Sequence, residues 1–204
     1  WTGATGEFEI TKSTKVLYSA DLADVAAQLA CDYKKMTGTT LQTLAGKPSN
    51  GDIALCIKRN KELNDEGYTI NIDNKVEIAS NTSRGAMWAT RTLLQIAELN
   101  AETLPKGNIV DWPDYAMRTF MLDCGRYFYT VDEVKRIVDL MAFHKLNALH
   151  WHLTEDQGWR IEIKKYPMLT KIGSKREQTT TGRNEGMDGI PYGGYYTQKE
   201  IKDI

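Results

Sequence analysis

A strand-helix-strand pattern in the second half of the chain constrains the fold most. Residues 119–123 contain the continuous apolar run Phe-Met-Leu, which is typical of a strand buried on both faces. Thr130 and Glu133 have the spacing of a capping box, and an apolar stripe follows them, so we predict a helix over residues 131–144. Residues 147–153 form a second strand pattern. A crossover of this length makes the two strands parallel neighbours.

A long irregular stretch follows the second strand, over about residues 173–196. Loops of this length inside a compact domain are usually functional or disordered. Thr197 and Glu200 form a second capping box, which predicts another helix at the end of the chain. Two parallel strands cannot close a sheet or a barrel, so we expect further strands beyond residue 204. The stretch contains six glycines, at Gly173, Gly182, Gly186, Gly189, Gly193 and Gly194.

The first half of the chain reads as a small α+β domain. Helical spacing of apolar residues predicts helices over residues 21–36 and 83–99. Residues 68–72 and 76–79 alternate with a period of two around Asp73-Asn74, which predicts a hairpin. Pro113 suggests a boundary, so we expect domains at residues 1–112 and 113–204. Three further short strands are predicted at residues 7–10, 14–18 and 52–57.

Composition excludes several functional classes. With 26 basic and 27 acidic residues, the formal net charge of −1 provides no field that would attract nucleic acid or an anionic membrane. No apolar run approaches the roughly 20 residues of a transmembrane helix, and no signal peptide is recognisable. The first residue is Trp1 rather than Met, so we expect the natural start to lie upstream. Three widely spaced cysteines, Cys31, Cys56 and Cys124, suit buried thiols better than a disulfide framework.

Polar residues follow both strands of the strand-helix-strand pattern. In parallel α/β folds, ligands bind at the carboxyl ends of the strands. Asp123 and Arg126 come at the end of the first strand, and His152, Glu155 and Asp156 come at the end of the second. The planar guanidinium of Arg126 suits vicinal hydroxyls or a carboxylate. Glu155 or Asp156 could accept from a sugar hydroxyl or orient a histidine, so we expect Arg126 and Glu155 to be the substrate-binding residues. The indoles at positions 151 and 159 could offer an apolar surface to a sugar.

Each of these candidates also has a structural interpretation. Arg126 could form an internal salt bridge with Asp123. His150 and His152 share one face of a strand, so they could bind a metal or be hydrogen-bonded core residues. A metal site would need ligands from outside this chain. Three polar residues near the strand end, Asp156, Gln157 and Arg160, could shape the loop or contact substrate.

Residues 117–126 read Met-Arg-Thr-Phe-Met-Leu-Asp-Cys-Gly-Arg, and residues 145–160 read Lys-Leu-Asn-Ala-Leu-His-Trp-His-Leu-Thr-Glu-Asp-Gln-Gly-Trp-Arg. These two segments resemble the β-N-acetylhexosaminidases of glycoside hydrolase family 20. Residues 166–169 and 194–197 also fit the family. The resemblance is strong from residue 113 onward. It is looser over the first 112 residues.

The resemblance implies an accessory α+β domain followed by the first two βα units of a (β/α)₈ TIM barrel. It implies that Arg126 holds hydroxyls of the terminal sugar. It also implies that Glu155 supports a histidine next to the acid catalyst, and that this histidine, like the catalyst, lies beyond this chain. His152 is expected in a supporting role. The family usually has Asp where this chain has Glu155, so the reach of the carboxylate differs. No catalytic residue is expected within this chain, because the family's Asp-Glu pair belongs to a later strand.

The implied activity is removal of terminal β-linked N-acetylhexosamine by an exo-acting, substrate-assisted, retaining hydrolase. The expected partners are N-acetylhexosamine-containing oligosaccharides or glycoconjugates, without cofactor, metal or nucleic acid, and the family suggests a periplasmic or secreted location. Residues 1–204 alone are expected to be inactive. Two alternatives remain open: a metal-dependent barrel hydrolase that uses His150 and His152, and a non-catalytic carbohydrate-binding relative.

Overall fold

The computed structural model describes residues 1–182 and 185–204, and these form two compact units, Trp1–Ala116 and Met117–Ile204. The first unit contains a seven-stranded mixed sheet and two α-helices. Its strands are β1 (Thr2–Glu9), β2 (Lys15–Tyr18), β3 (Gln42–Ala45), β4 (Ile53–Ile57), β5 (Tyr68–Ile72), β6 (Val76–Ser80) and β7 (Thr103–Asp111). Its helices are α1 (Ala23–Thr37), preceded by the 3₁₀ turn Ala20–Leu22, and α2 (Ser83–Leu99).

The strand order in this sheet is β1-β7-β5-β6-β4-β2-β3. Strands β3, β2, β4 and β6 run parallel to one another, whereas β5 pairs antiparallel with β6 and β7. The predicted hairpin is confirmed, since Ile70 of β5 lies opposite Ile78 of β6 and both side chains are fully buried. Strands β3 and β7 were not predicted.

Both predicted helices of the first unit are confirmed. Helix α1 ends at Gly38, whose φ of 79° suits glycine and whose N–H donates to the Lys34 carbonyl. Helix α2 begins after Thr82, whose hydroxyl accepts from the Gly85 N–H. The two helices pack against the sheet and against each other, so they cover the same sheet face. The buried polar residues are paired, for example Arg91 with Asp32 at 2.6 Å.

The second unit begins with the predicted strand-helix-strand pattern. Strands β8 (Thr119–Asp123) and β9 (Ala148–His152) are adjacent and parallel, and α3 (Val131–Phe143) connects them. In the capping box of α3, the Thr130 hydroxyl accepts from the Glu133 N–H and the Glu133 carboxylate accepts from the Thr130 N–H. Strands, helix and capping box are therefore confirmed. Burial of β8 on both faces is not, because Phe120 and Met121 are exposed and only Leu122 of this strand is buried. A small core beneath α3 includes Leu122 and Val134.

The rest of the second unit consists of short elements. A tight hairpin, β10 (Thr154–Glu155) and β11 (Gly158–Trp159), follows β9 directly, and α4 (Met168–Lys171) comes next. The predicted irregular stretch is closed at its base by pairing of β12 (Lys175–Arg176) with β13 (Tyr192–Gly193). The predicted second capping box opens α5 (Gln198–Asp203). Among the described residues, no helix has the length and hydropathy needed to cross a bilayer.

Candidate active site at the strand ends

Alternation along β8 and β9 sorts the side chains onto two faces. Asp123 and His152 lie opposite each other in the register, at the carboxyl ends of the two strands, and share one face. Leu122 and Trp151 point to the other face, where they pack in the core. The Trp151 ring lies 4.8 Å from that of Tyr196, and its Nε1 donates to the Cys124 Sγ at 3.2 Å. Trp151 therefore packs against the core while partly buried, and its contact with a sugar stays a prediction.

The loop after β8 is held tightly against the end of β9. The backbone N–H groups of Cys124 and Gly125 both donate to the His152 carbonyl, at 2.9 and 3.0 Å. A Cβ on Gly125 would lie only 2.9 Å from the Cβ of Glu155. Glycine at position 125 therefore allows the two loops to approach closely, and this approach brings Arg126 to Glu155.

Arg126 lies between two carboxylates. Its Nη1 donates to the Asp123 Oδ2 at 2.6 Å, and its Nη2 lies 3.1 Å from the Glu155 Oε2. The internal salt bridge with Asp123 is thus present, and a second salt bridge joins the two strand-end loops. About half of the Arg126 side chain remains exposed. A guanidinium has five N–H donors, so donors remain for a ligand.

The contact between Arg126 and Asp123 shifts the pKa values of both residues. The hydrogen bond to Asp123, followed by the charge of Glu155, raises the pKa of Arg126. Burial alone would raise the pKa of Asp123. Hydrogen bonds from the backbone N–H and the guanidinium of Arg126 outweigh that effect, so the pKa of Asp123 lies below its usual value. Each of the two groups therefore favours the charged form of the other.

His152 completes this group of four residues, which we call the strand-end cluster: Asp123, Arg126, His152 and Glu155. The Nδ1 of His152 lies 3.7 Å from the Asp123 Oδ1, and its Nε2 lies 3.3 Å from the Glu155 Oε2. The Nε2 is also 3.0 Å from the Thr154 carbonyl, which can only accept, so Nε2 carries the proton in that contact. Glu155 thus contacts both Arg126 and His152, while its support of a histidine next to the acid catalyst stays a prediction.

In the described part of the chain, no complete set of metal ligands accompanies His150 and His152. The rings of His150 and His152 stack with centroids 6.2 Å apart. Among residues 1–182 and 185–204, no group of three or more His, Cys, Asp and Glu side chains is arranged to hold a metal ion. A metal bound to this pair would therefore need ligands from elsewhere, as the sequence also indicated.

Arg160 shapes the loops that surround the cluster. It is fully buried; its Nε donates to the Cys124 carbonyl at 3.0 Å, and its Nη1 donates to the carbonyls of Ser174 and Gly194 at 2.6 and 3.1 Å. A Cβ at Gly158 would lie 2.4 Å from its Nη2. Burial, with some repulsion from a neighbouring arginine, lowers the pKa of this guanidinium. Of the two interpretations of Arg160, the contacts favour the structural one.

An open groove of about 840 Å³ adjoins the cluster. Glu155 and Asp156 belong to its lining, together with the apolar side chains of Trp159, Met168 and Ile172. Contact of Trp159 with a sugar stays a prediction. Its indole N–H donates to the Ile161 carbonyl at 2.8 Å, so the ring orientation is fixed.

Two features of the site are not evident from the sequence. Asp123 was expected at the strand end and as a partner of Arg126, but its contact with His152 was not predicted. Gly125 was not singled out, although its position between two polar strand-end residues was a visible signal. The contacts of these residues depend on the pairing of β8 with β9, which brings together positions about 30 residues apart.

Comparison with known proteins assigns both halves of the chain. Residues 1–112 match glycosyl hydrolase family 20, domain 2, and residues 115–204 match the glycosyl hydrolase family 20 catalytic domain. A β-hexosaminidase of Porphyromonas gingivalis is 38% identical across all of this chain, which covers 27% of that protein. A β-hexosaminidase of Vibrio furnissii is 32% identical over 98% of this chain and 32% of its own length. The chain thus spans about a third or less of these relatives.

Solved structures agree with this assignment. An exo-β-N-acetylglucosaminidase of family 20 from Vibrio harveyi, in complex with N-acetylglucosamine, superposes with a TM-score of 0.82 at 33% identity. The match covers 98% of this chain and 32% of that one. The family 20 β-N-acetylhexosaminidase of Streptomyces coelicolor gives a TM-score of 0.80 at 28% identity, over 99% of this chain and 41% of its own. The chain therefore belongs to glycoside hydrolase family 20, and it comprises the α+β domain 2 and the first part of the catalytic domain of that family.

Proposed function

We propose that the protein containing this chain is an exo-acting β-N-acetylhexosaminidase, and that the strand-end cluster forms one side of its sugar-binding pocket. The observation that carries this proposal is the position of Arg126, which is half exposed and fixed between Asp123 and Glu155 at the carboxyl ends of parallel strands. A charged fork held in this way can donate to vicinal hydroxyls of a terminal sugar. The relatives named β-hexosaminidase and exo-β-N-acetylglucosaminidase support the same activity.

The proposed mechanism is substrate-assisted and retaining. The carbonyl oxygen of the 2-acetamido group attacks the anomeric carbon, and the bond to the leaving oxygen breaks as an acid protonates that oxygen. Water then opens the cyclic intermediate from the opposite side, which restores the original configuration. This scheme departs from the usual pair of protein carboxylates. We place the acid and the group that orients the acetamide outside residues 1–204, where the family resemblance puts an Asp-Glu pair.

The test compares the whole protein that contains this chain, called the longer protein below, with residues 1–204 alone. The substrates are chromogenic β-N-acetylglucosaminides and β-N-acetylgalactosaminides. We expect turnover by the longer protein and none by residues 1–204. Without the acid, general acid catalysis worth about 10²–10⁴-fold is missing. Without an oriented acetamide, much of the advantage of an intramolecular nucleophile is lost as well. Comparable turnover by the 204-residue chain would overturn our placement of the chemistry.

Two further measurements test the mechanism itself. Proton NMR of the first-formed product should show the β-anomer. Substrates with a trifluoroacetamido group should react much more slowly than acetamido substrates, because fluorine makes the attacking oxygen less nucleophilic. Equal rates for the two substrates would contradict substrate assistance. Binding of N-acetylhexosamine without any turnover by the longer protein would favour the carbohydrate-binding alternative.

Glu155→Gln in the longer protein should slow turnover by about 10-fold with little change in KM, because Glu155 acts through its neighbours rather than on the substrate. Glutamine keeps the shape of the side chain but removes the charge that faces Arg126 and His152 at 3.1 and 3.3 Å. The acid limb of the pH-rate profile should shift as well. The matched control is Glu177→Gln, which makes the same change at an exposed position. An unchanged rate and pH profile would refute the supporting role.

The natural substrates that we propose are oligosaccharides or glycoconjugates with a terminal N-acetylhexosamine. A periplasmic or secreted location would give the enzyme access to such glycans, and the family resemblance supports this location. Fractionation of the source cells, with detection by an antibody against this chain, tests it. Recovery in the cytoplasmic fraction alone would refute it.

A further inference from the structure

Arg176 binds both of the loops that carry the strand-end cluster. Its Nη1 donates to the Arg126 carbonyl at 2.8 Å and reaches the Gln157 carbonyl at 3.4 Å. Arg126 belongs to the loop after β8, and Gln157 belongs to the turn of the β10-β11 hairpin after β9. One guanidinium therefore contacts the backbone of both loops, about 50 and 19 residues away along the chain.

Arg176 is itself fixed in place. Its Nε donates to the Thr179 hydroxyl at 2.9 Å, and its guanidinium lies 4.8 Å from the centroid of the Tyr192 ring. The Tyr192 hydroxyl in turn donates to the Phe128 carbonyl at 2.6 Å, within the same loop as Arg126. A cation over an aromatic face is attracted to it. Arg176 lies in β12 and Tyr192 in its partner strand β13, and both contact the loop that contains Arg126.

The backbone of Arg126 is consequently held on both sides. Its N–H donates to the Asp123 Oδ1 at 3.0 Å, and its carbonyl accepts from Arg176. With both peptide groups fixed, the direction in which the Arg126 side chain leaves the backbone is fixed too. Arg176 makes no salt bridge to the carboxylates of the strand-end cluster within the described residues, so its influence on the cluster passes through the backbone.

We infer that Arg176 is a positioning residue that aims the Arg126 side chain into the sugar-binding pocket. Its action on substrate binding rests on the proposed function, whereas its action on the geometry of Arg126 does not. Displacements of about 1 Å at a positioned group can cost up to about 100-fold in rate, so loss of this contact should be measurable. The two parts of the inference need separate measurements.

The first measurement uses the longer protein and needs no catalysis. In Arg176→Gln, amide hydrogen exchange at Arg126 should be about 10-fold faster than in the wild type, because the loop opens locally more often. The order parameter of the Arg126 Nε–H, measured by NMR, should fall as well. The matched control is Arg136→Gln, the same change at an exposed position on α3, and it should leave both values unchanged. Unchanged values in Arg176→Gln would overturn the inference.

The second measurement is a double-mutant cycle in the longer protein. Arg176→Gln should lower kcat/KM about 10-fold, mainly through KM, but less than about twofold when Arg126 is already alanine. Equal losses in both backgrounds would show that Arg176 does not act through Arg126, and would overturn the inference. If the longer protein lacks hexosaminidase activity altogether, the proposed function fails, and the exchange measurement still decides whether Arg176 fixes Arg126.

Discussion

Arg126→Ala in the longer protein should lower kcat/KM by about 100-fold, mainly by raising KM, because charge-assisted hydrogen bonds to the sugar hydroxyls are lost. Arg126→Lys should recover only a small part of this loss. Lysine keeps the charge, but it has no planar fork to donate to Asp123, Glu155 and a sugar at once. Steady-state kinetics with a chromogenic N-acetylhexosaminide measures the effect.

A titration distinguishes this loss from unfolding. In the wild type, Arg126 holds the pKa of Asp123 below its usual value. Asp123 therefore contributes stability above its ordinary pKa, and this contribution disappears as the pH falls through the lowered value. In Arg126→Ala, the pKa of Asp123 should rise, which carboxyl NMR can follow. Unchanged kinetics in a folded variant with this titration shift would assign Arg126 a purely structural role.

Arg160→Met should destabilise the second unit by about 3–5 kcal/mol, because three carbonyls lose the hydrogen bonds that the buried arginine donates. Arg160 donates to three carbonyls, from Cys124, Ser174 and Gly194. Methionine fills a similar volume without donating any hydrogen bond. The midpoint of the urea transition of the second unit, followed by tryptophan fluorescence, should fall accordingly.

The control for Arg160→Met is Lys164→Met, which removes a positive charge at an exposed position in the same segment. Surface changes of this kind usually stay within about 0.5 kcal/mol. Equal midpoints for Arg160→Met and the wild type would show that the three carbonyls gain other partners at no cost. Arg160 would then lose its assigned role in the loops.

Local sequence signals predicted the elements with strong periodicity or caps. The capping boxes at Thr130 and Thr197 marked the starts of α3 and α5 because each satisfies free donors in its own first turn. Strand β7 escaped prediction because it contains Pro105 and Gly107, two residues that weaken a strand pattern. It forms because neighbouring strands on both sides supply hydrogen bonds.

The sequence predicted which residues belong to the candidate site better than it predicted the contacts between them. The end-of-strand position identified Arg126, His152 and Glu155, because parallel neighbours bring their carboxyl ends together. The role of Arg160 depends on carbonyls of a glycine-rich loop, to which no local pattern points. Arg176 reaches the site for the same reason, through pairing of two-residue strands that lie 16 residues apart in the chain.

The uneven distribution of buried apolar residues has a consequence for synthesis on the ribosome. The first unit has an extensive core of its own, whereas the buried core of the second unit is small. Domains that emerge first can fold while the rest of the chain is still being made. The first unit can therefore reach its native state co-translationally, and the parallel pair β8-β9 then emerges tethered to a folded neighbour rather than to an unfolded chain.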